Sequence, residues 1–290
     1  MSSTSQPRVW FITGASAGFG LAVTKHVLEA GDIAVATLRK PSDISELASK
    51  YPSSRLLVLP LDVTKPEQVS AAFARTREAF GRIDVVYNNA GVWMRAEVEG
   101  TTEEEARRQF EINYWGALRV SIEAVKFFRE VNPKGLGGRL LQVSSVVGVN
   151  PWPLTGPYAT TKFALEGITD ALRKELDPAW NIKVTIIEPG MFGTRLLVDG
   201  TGEPKPIHPA YNTSTSPTKA LRDMIAANSP LLGSPQDVTK GAREIYRLAG
   251  LESPPERLPL GKDSVAAIRD KLESQLKELA AYESWSSDLA

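Results

Sequence analysis

Thr13-Gly14-Ala15-Ser16-Ala17-Gly18-Phe19-Gly20 decides the reading of the fold. It directly follows an apolar run, Arg8–Thr13, and opens a segment of helical period, Gly18–Ala30. A strand that turns through three glycines into a helix leaves backbone N–H groups and the positive helix end facing outward. That arrangement suits a pyrophosphate. The same string also spells G-x-S-x-G over Gly14–Gly18, the nucleophile elbow of a serine hydrolase using Ser16. That alternative needs strands before the elbow and an acid and a histidine after it. Only one strand precedes it, His26 lies on the same helical segment, and His208 lies in an irregular stretch. Context therefore favours the phosphate-binding turn.

Outward from this turn the alternation continues. Strands are expected at Ile33–Leu38, Leu56–Pro60, Ile83–Tyr87, Arg139–Ser144 and Lys183–Ile187. Helices are expected at Ser42–Lys50, Pro66–Phe80, Thr102–Val131 and Tyr158–Asp177. Several strand segments are solidly apolar, as parallel strands covered on both faces should be. Six such strands in order imply an α/β fold: one Rossmann-type doubly wound parallel sheet with helices on both faces, and one domain over residues 1–290. The pattern breaks after Gly190. A substrate-loop region at about 190–230, rich in Gly, Pro, Ser and Thr between 199 and 217, follows the sixth strand at the edge where open α/β sheets bind ligands. A helix at Pro235–Ala249, a short strand at Arg257–Leu260 and a C-terminal helical extension at about 262–283 complete the chain. Val265, Ile268, Leu272, Leu276 and Leu279 give that extension an apolar stripe, suited either to its own domain or to another subunit.

Composition removes whole classes of chemistry. Among 290 residues there is no cysteine, so there is no disulfide, thiolate metal site or cysteine nucleophile, and two histidines cannot make a His-rich metal cluster. No metal site is expected. The 34 basic and 34 acidic residues cancel, which gives no long-range pull toward nucleic acid or anionic lipid. No apolar run reaches the roughly 18 residues that span a bilayer, and Met1–Arg8 lacks a hydrophobic signal core. A cytoplasmic location is expected.

Further motifs follow in order. Asp62-Val63 comes at the end of the third strand, Asn88-Asn89-Ala90-Gly91 at the end of the fourth, and Asn113-Tyr-Trp-Gly116 in the long helix. Ser145 ends the fifth strand, thirteen residues before Tyr158, and Tyr158-Ala-Thr-Thr-Lys162 begins the next helix. Pro189-Gly190 closes the sixth strand, with Thr194 just beyond. With Thr13–Gly20, residues 8–195 resemble the short-chain dehydrogenase/reductase family in its classical form. The resemblance implies NAD(P)-dependent oxidoreduction of carbonyl and hydroxyl compounds, often by a homodimer or homotetramer. It implies Tyr158 as proton donor, Lys162 as the group that lowers its pKa and binds ribose, Ser145 as partner of the carbonyl oxygen, and Asn113 as holder of a relay water. It also implies Gly14, Ser16, Gly18, Phe19 and Gly20 around the diphosphate, Asp62 and Val63 at the adenine, Asn89 near the adenosine ribose and Thr194 at the nicotinamide amide.

The residues support part of this directly. Tyr158 and Lys162, four apart, share one helix face, and a nearby ammonium favours a phenolate. Leu38 stands where many NAD users place a carboxylate for the ribose 2′-OH, and Arg39 follows, suited to a 2′-phosphate with Lys40 assisting. NADP(H) is therefore expected, with NAD(H) the alternative. Trp93, Met94, Trp152, Leu154, Met191 and Phe192 suggest an apolar pocket for an uncharged hydrophobic ketone, aldehyde or alcohol, with Arg95 close by. Phe192 stands where a smaller aliphatic residue is common in the family. A non-catalytic dinucleotide-binding sensor or scaffold would have the same fold, but both Tyr158 and Lys162 are present.

Overall fold

The computed structural model describes residues 6–194, 205–227 and 234–289. Seven parallel strands form one sheet in the order β3-β2-β1-β4-β5-β6-β7. They are β1 (Val9–Thr13), β2 (Ile33–Leu38), β3 (Leu56–Pro60), β4 (Val85–Asn88), β5 (Gly138–Val143), β6 (Ile182–Pro189) and β7 (Arg257–Leu260). The expected short strand after the irregular stretch is thus the seventh member of the sheet, paired along β6 with Ile186 opposite Arg257. The strand order reverses between β1 and β4, which opens a crevice at their carboxyl ends.

Alternation along β1 shows how the sheet is covered. Trp10 and Ile12 enter one apolar core and Val9 and Phe11 the other, as a period of two requires. The first core is closed by α1 (Gly18–Glu29) and a later helix, Val238–Leu248; the second by α3 (Pro66–Phe80) and α5 (Ala117–Glu130). Between β2 and β3 the expected helix is only a short 3₁₀ turn, Pro41–Ile44, and one turn of α2 (Ser45–Ala48). There Ile44 is buried in the core, with Leu47 and Ala48 packed against it.

The long helix expected over Thr102–Val131 is three pieces. α4 (Glu103–Phe110) starts at a reciprocal Thr102–Glu105 capping box, a π-helical turn covers Glu111–Gly116, and α5 continues from Ala117. The wide turn has a local cause. Asn113 is drawn fully inside, its Oδ1 accepting from Val92 N at 2.8 Å and its Nδ2 donating to Val92 O at 2.8 Å. At the end of the turn Gly116 lies so close to Val63 that a Cβ would stand 2.6 Å from a Val63 methyl.

α6 (Gly156–Glu175) begins with Pro157 in its first turn and buries Tyr158, Lys162, Leu165, Glu166 and Thr169 along one face. Beyond β6 come α7 (Pro217–Ala226), α8 (Val238–Leu248) and α9 (Lys262–Tyr282). Only the first part of α9 is packed: Ser264 and Ile268 are buried, whereas Leu272, Leu276 and Leu279 are exposed. Of the expected loop region, residues 195–204 and 228–230 lie outside the described residues. Among the described residues no helix is long and apolar enough to cross a membrane.

Candidate active site

Thr13 ties the carboxyl ends of β1 and β4 together. Its hydroxyl oxygen accepts from the N–H groups of Asn89 and Ala90 at 2.8 and 3.0 Å, and Asn89 Nδ2 donates to Thr13 O at 2.9 Å. From this fixed point Gly14 turns with φ +68° and Gly18 with φ +52°, both in the left-handed region that glycine tolerates. Helix α1 then starts at Ala17 without a side-chain cap. Its first N–H groups face the crevice, the arrangement that binds an anion. Gly20 permits the close approach of turn and helix, because a Cβ there would overlap the Gly14 carbonyl oxygen and stand 2.9 Å from Asn89 Nδ2. Gly20→Ala is expected to lower stability by about 1–3 kcal/mol, the usual range for forced overpacking. Chemical denaturation that left the midpoint unmoved would contradict this close-packing role.

The crevice is a cleft of about 700 Å³. Gly14, Ser16, Gly18 and Phe19 line its middle, with Asn89 beside them. Leu38, Arg39, Asp62 and Val63 line one end, Ser145, Tyr158 and Lys162 the other, and Thr194 lies against Gly18. Gly20 and Asn113 stand behind the wall rather than on it. Neither histidine lines the cleft that holds Ser16: His26 packs against Tyr246 with ring centres 5.1 Å apart, and His208 against Tyr211 at 5.6 Å.

At the first end, Asp62 caps its own turn, its Oδ1 accepting from the Thr64 N–H at 3.0 Å and the Thr64 hydroxyl at 2.8 Å. Burial pushes its carboxyl pKa up, but these bonds and the charges of Arg39 and Lys65 outweigh that and leave it below the ordinary value. Arg39 is exposed, and Lys40 does not reach the cleft wall. Asp43, Arg108 and Glu111 also line this end, which the sequence reading missed. Asp43 belongs to the short 3₁₀ turn, Arg108 to the last turn of α4 and Glu111 to the start of the π turn.

At the second end, successive turns of α6 attach to the end of β5. Ser145 lines the same wall as Tyr158, its oxygen accepting from Val147 N at 3.4 Å, and its hydroxyl acts on the phenol to lower its pKa. Lys162 Nζ donates to Val143 O at 2.8 Å and stands 5.7 Å from the centre of the Tyr158 ring. The Asn113 amide donates to Thr161 Oγ1 at 3.1 Å and so fixes the same helix from behind. With its side chain committed to Val92 and Thr161, Asn113 shapes this wall; any water it held would meet its backbone.

The expected electrostatics need correcting here. Burial pushes the Tyr158 phenol up to about 12, opposed by the Ser145 hydroxyl, and pushes the Lys162 amine down to about 8, opposed by the charge of Glu166. Desolvation therefore outweighs the lowering expected from Lys162. Tyr158 is held as a neutral phenol.

Trp93, Trp152, Met191 and Phe192 line the cleft; Trp93 and Trp152 pack around Tyr158, with the Trp93 and Tyr158 rings 6.0 Å apart. Met94, Arg95 and Leu154 do not line it: Arg95 lies over Trp93 at 5.4 Å, and Leu154 is buried at a positive φ. Phe192 fits because its ring packs on Phe19, with centres 4.8 Å apart, over Gly241. The Pro189–Thr194 segment is pinned by two residues that no motif signalled. Asp263, at the start of α9, accepts from Met191 N at 2.6 Å and from Gln236 Nε2 at 2.5 Å, and Gln236 exchanges backbone bonds with Met191 and Gly193 at 2.9 Å. On the open side, Arg222 of α7 grips buried Glu97 through two bonds of 2.8 Å, and Lys205 pairs with Glu105.

Sheet order and cleft define a Rossmann-type α/β oxidoreductase scaffold. The chain belongs to the short-chain dehydrogenase family, whose model matches residues 8–202. It is 37% identical over 279 residues to an uncharacterized oxidoreductase of Schizosaccharomyces pombe, covering 96% of this chain and 90% of that protein. It is 32% identical over 197 residues to a farnesol dehydrogenase of Aedes aegypti, covering 66% and 79%. The solved short-chain dehydrogenase from Streptomyces avermitilis superposes with a TM-score of 0.85 at 33% identity, covering 99% and 98%.

Proposed function

We propose that this single-domain chain is an NADP(H)-dependent oxidoreductase of hydrophobic carbonyl and alcohol compounds, with Tyr158 as proton donor. The observation that carries the reading is the second end of the cleft: a buried Tyr158 phenol on one wall with Ser145, and the Lys162 amine 5.7 Å from the centre of its ring.

The residues present fit a nicotinamide dinucleotide, because the uncapped start of α1 at the Gly14–Gly20 turn supplies N–H donors where a diphosphate would lie. Ser16 and Phe19 flank it, Asp62 and Val63 suit the adenine, Asn89 the adenosine ribose, Lys162 the second ribose and Thr194 the carboxamide. Arg39 suits a 2′-phosphate, with buried Leu38 offering no carboxylate to a free 2′-OH. Bound there, the cofactor would supply or accept a hydride.

The chain does the rest. Ser145 and Tyr158 both donate toward a carbonyl oxygen placed against them, and Tyr158 releases its proton as charge develops on that oxygen. The Lys162 ammonium stabilises the phenolate that remains. Asn113 holds the helix that carries both. Trp93, Trp152 and Met191 exclude water and suit an apolar substrate, in keeping with the alcohol named for the mosquito relative. The reading includes a cytoplasmic enzyme and a homodimer or homotetramer. Exposed Trp115, Ile122 and Phe163 offer apolar surface for association, which sedimentation would test.

The direct test is a panel of apolar ketones, aldehydes and alcohols, with NADPH and NADH followed in parallel by absorbance. Turnover is expected with NADPH. Arg39→Ala should raise the KM for NADPH by roughly tenfold or more, the loss expected for a charge-assisted phosphate contact, and that for NADH by less than about twofold. Equal losses would rule out the NADP assignment. Nucleotide binding without turnover on any compound would instead mark a sensor or scaffold.

A further inference from the structure

Beneath the reacting end of the cleft lies a buried charged cluster that the chemistry above does not use. Glu166, one turn after Lys162 on the same face of α6, is 6% exposed. Its Oε1 accepts from the Ser144 hydroxyl at 2.5 Å, and its Oε2 pairs with Arg257 Nη1. Arg257 comes from β7 and also reaches Glu188 of β6 at 2.9 Å and Asp170 of α6 at 2.5 Å. Three consecutive residues at the end of β5 thus receive three turns of α6: Val143 takes Lys162, Ser144 takes Glu166, and Ser145 acts on Tyr158. Gly148 leaves the space for this, because a Cβ there would overlap Glu166 Oε1 and stand 2.5 Å from Ser144 Oγ and 3.1 Å from Lys162 Cβ.

We propose that Glu166 is a positioning residue for the reaction: held by Ser144 and Arg257, it supplies the counter-charge that keeps the buried Lys162 amine in its ammonium form. The proposal rests on the assignment of Tyr158 and Lys162 above. Among the described residues no carboxylate is hydrogen-bonded to Lys162 Nζ, which donates to a backbone carbonyl; Glu166 is the charged group that acts on it across one helical turn. Glu166 in turn faces Arg257 from β7, Glu188 from β6 and Ser144 from β5. Burial pushes it up to about 7, opposed by Ser144 and Arg257 and reinforced by Glu188, so it is ionised in the pH range where Lys162 would otherwise lose its proton.

Glu166→Gln keeps the shape and a hydrogen-bond acceptor for Ser144 but removes the charge. In full-length protein carrying ¹³C-labelled lysine, the Lys162 resonance, assigned by its loss in Lys162→Met, should titrate about tenfold more readily to the neutral amine in the variant. In the unmutated chain the same resonance should show a second, smaller inflection near pH 7 as Glu166 ionises, a readout that does not depend on the Glu166→Gln variant folding. Turnover of the variant should fall about fivefold at pH 8, the loss of ammonium form that a tenfold shift produces there, and stay within about threefold at pH 6. Glu166→Asp, which keeps the charge, should restore most of the pH 8 loss. An unmoved Lys162 titration, or a loss of turnover equal at both pH values, would overturn the proposal. A shifted Lys162 titration in a chain that turns over no substrate would support the pairing and count against the functional reading instead.

Discussion

Tyr158→Phe is expected to lower kcat by roughly 10²–10⁴-fold, the usual weight of a positioned general acid, while the KM for NADPH stays within about threefold. The substitution removes one hydroxyl and little else. The ring that packs with Val146, Val147, Ala159 and Ile268 and lies 6.0 Å from Trp93 remains. The hydroxyl is the atom that the cleft wall presents, beside Ser145, to a carbonyl oxygen. Its pH dependence follows from two buried groups. Tyr158, pushed up to about 12, carries its proton through the neutral range and can give it in the reductive direction. Lys162, pushed down to about 8, loses its charge as pH rises through that value, and phenolate stabilisation goes with it. Reductive turnover should therefore fall above about pH 8 in the parent and stay at least about a hundredfold below the parent's neutral-pH rate across the range in the variant. Steady-state rates from pH 6 to 10, with a melting scan to show the fold intact, decide the matter. If the Tyr158→Phe protein kept more than about a tenth of the parent kcat, Tyr158 would be removed from the proton-transfer step.

What the sequence made legible was local. The turn from β1 into α1 is written in contiguous residues, Thr13 to Gly20, and the strands on either side of it are apolar runs. Tyr158 and Lys162 are one helical turn apart, so periodicity alone puts them on one face. What stayed hidden depends on partners far along the chain. Nothing near Asn113 says that Val92 will take both ends of its amide and open a π turn. Nothing near Met191 points to Asp263, seventy-two residues later, whose place in the first turn of α9 reads as ordinary helix-dipole chemistry. The Tyr158 shift went the other way for the same reason. Charge spacing is visible in a string of letters, but the burial of phenol and amine is a property of the packed sheet edge.

Glu166 and Arg257 belong to that hidden part, and they join the reacting end of the cleft to the last strand. β7 has four residues and would be a modest addition to a six-stranded sheet on hydrogen bonds alone. Its first residue, however, places a guanidinium among three carboxylates from α6 and β6. The same carboxylates would repel one another and Glu166 would leave Lys162 without a partner if β7 were displaced. The C-terminal part of the fold therefore sets the charge beneath Tyr158 and, through Asp263, the position of Met191 in the cleft wall.

Arg257→Met should accordingly show the largest effect on stability. Removing one partner of a buried ion pair costs about 3–5 kcal/mol because the remaining charge is left unpaired. The Arg257 side chain is 36% exposed, so screening by solvent places the loss near the lower end, about 3 kcal/mol at pH 8. For a chain of this size that is a fall in Tm of roughly 5 °C. The loss should depend on pH in a stated direction. Burial already raises Glu166 to about 7 and raises Glu188 above its ordinary value. A carboxyl raised in the folded state favours the fold fully below its unfolded value near 4.5, and that contribution is lost as pH rises through the folded value. Without Arg257 both carboxyls rise further, so the variant should lose stability more steeply between pH 5 and pH 8 than the parent does. The difference in Tm between the two proteins should be largest at pH 8 and shrink by half or more at pH 5, where the carboxyls take up protons. Adding Glu166→Gln and Glu188→Gln to Arg257→Met should recover much of the pH 8 loss, since no unpaired charge then remains at those positions. Melting curves of the parent, the single variant and the triple variant at both pH values test this. A Tm difference independent of pH would show that Arg257 contributes packing rather than charge, and the electrostatic link from β7 to the cleft would then be wrong.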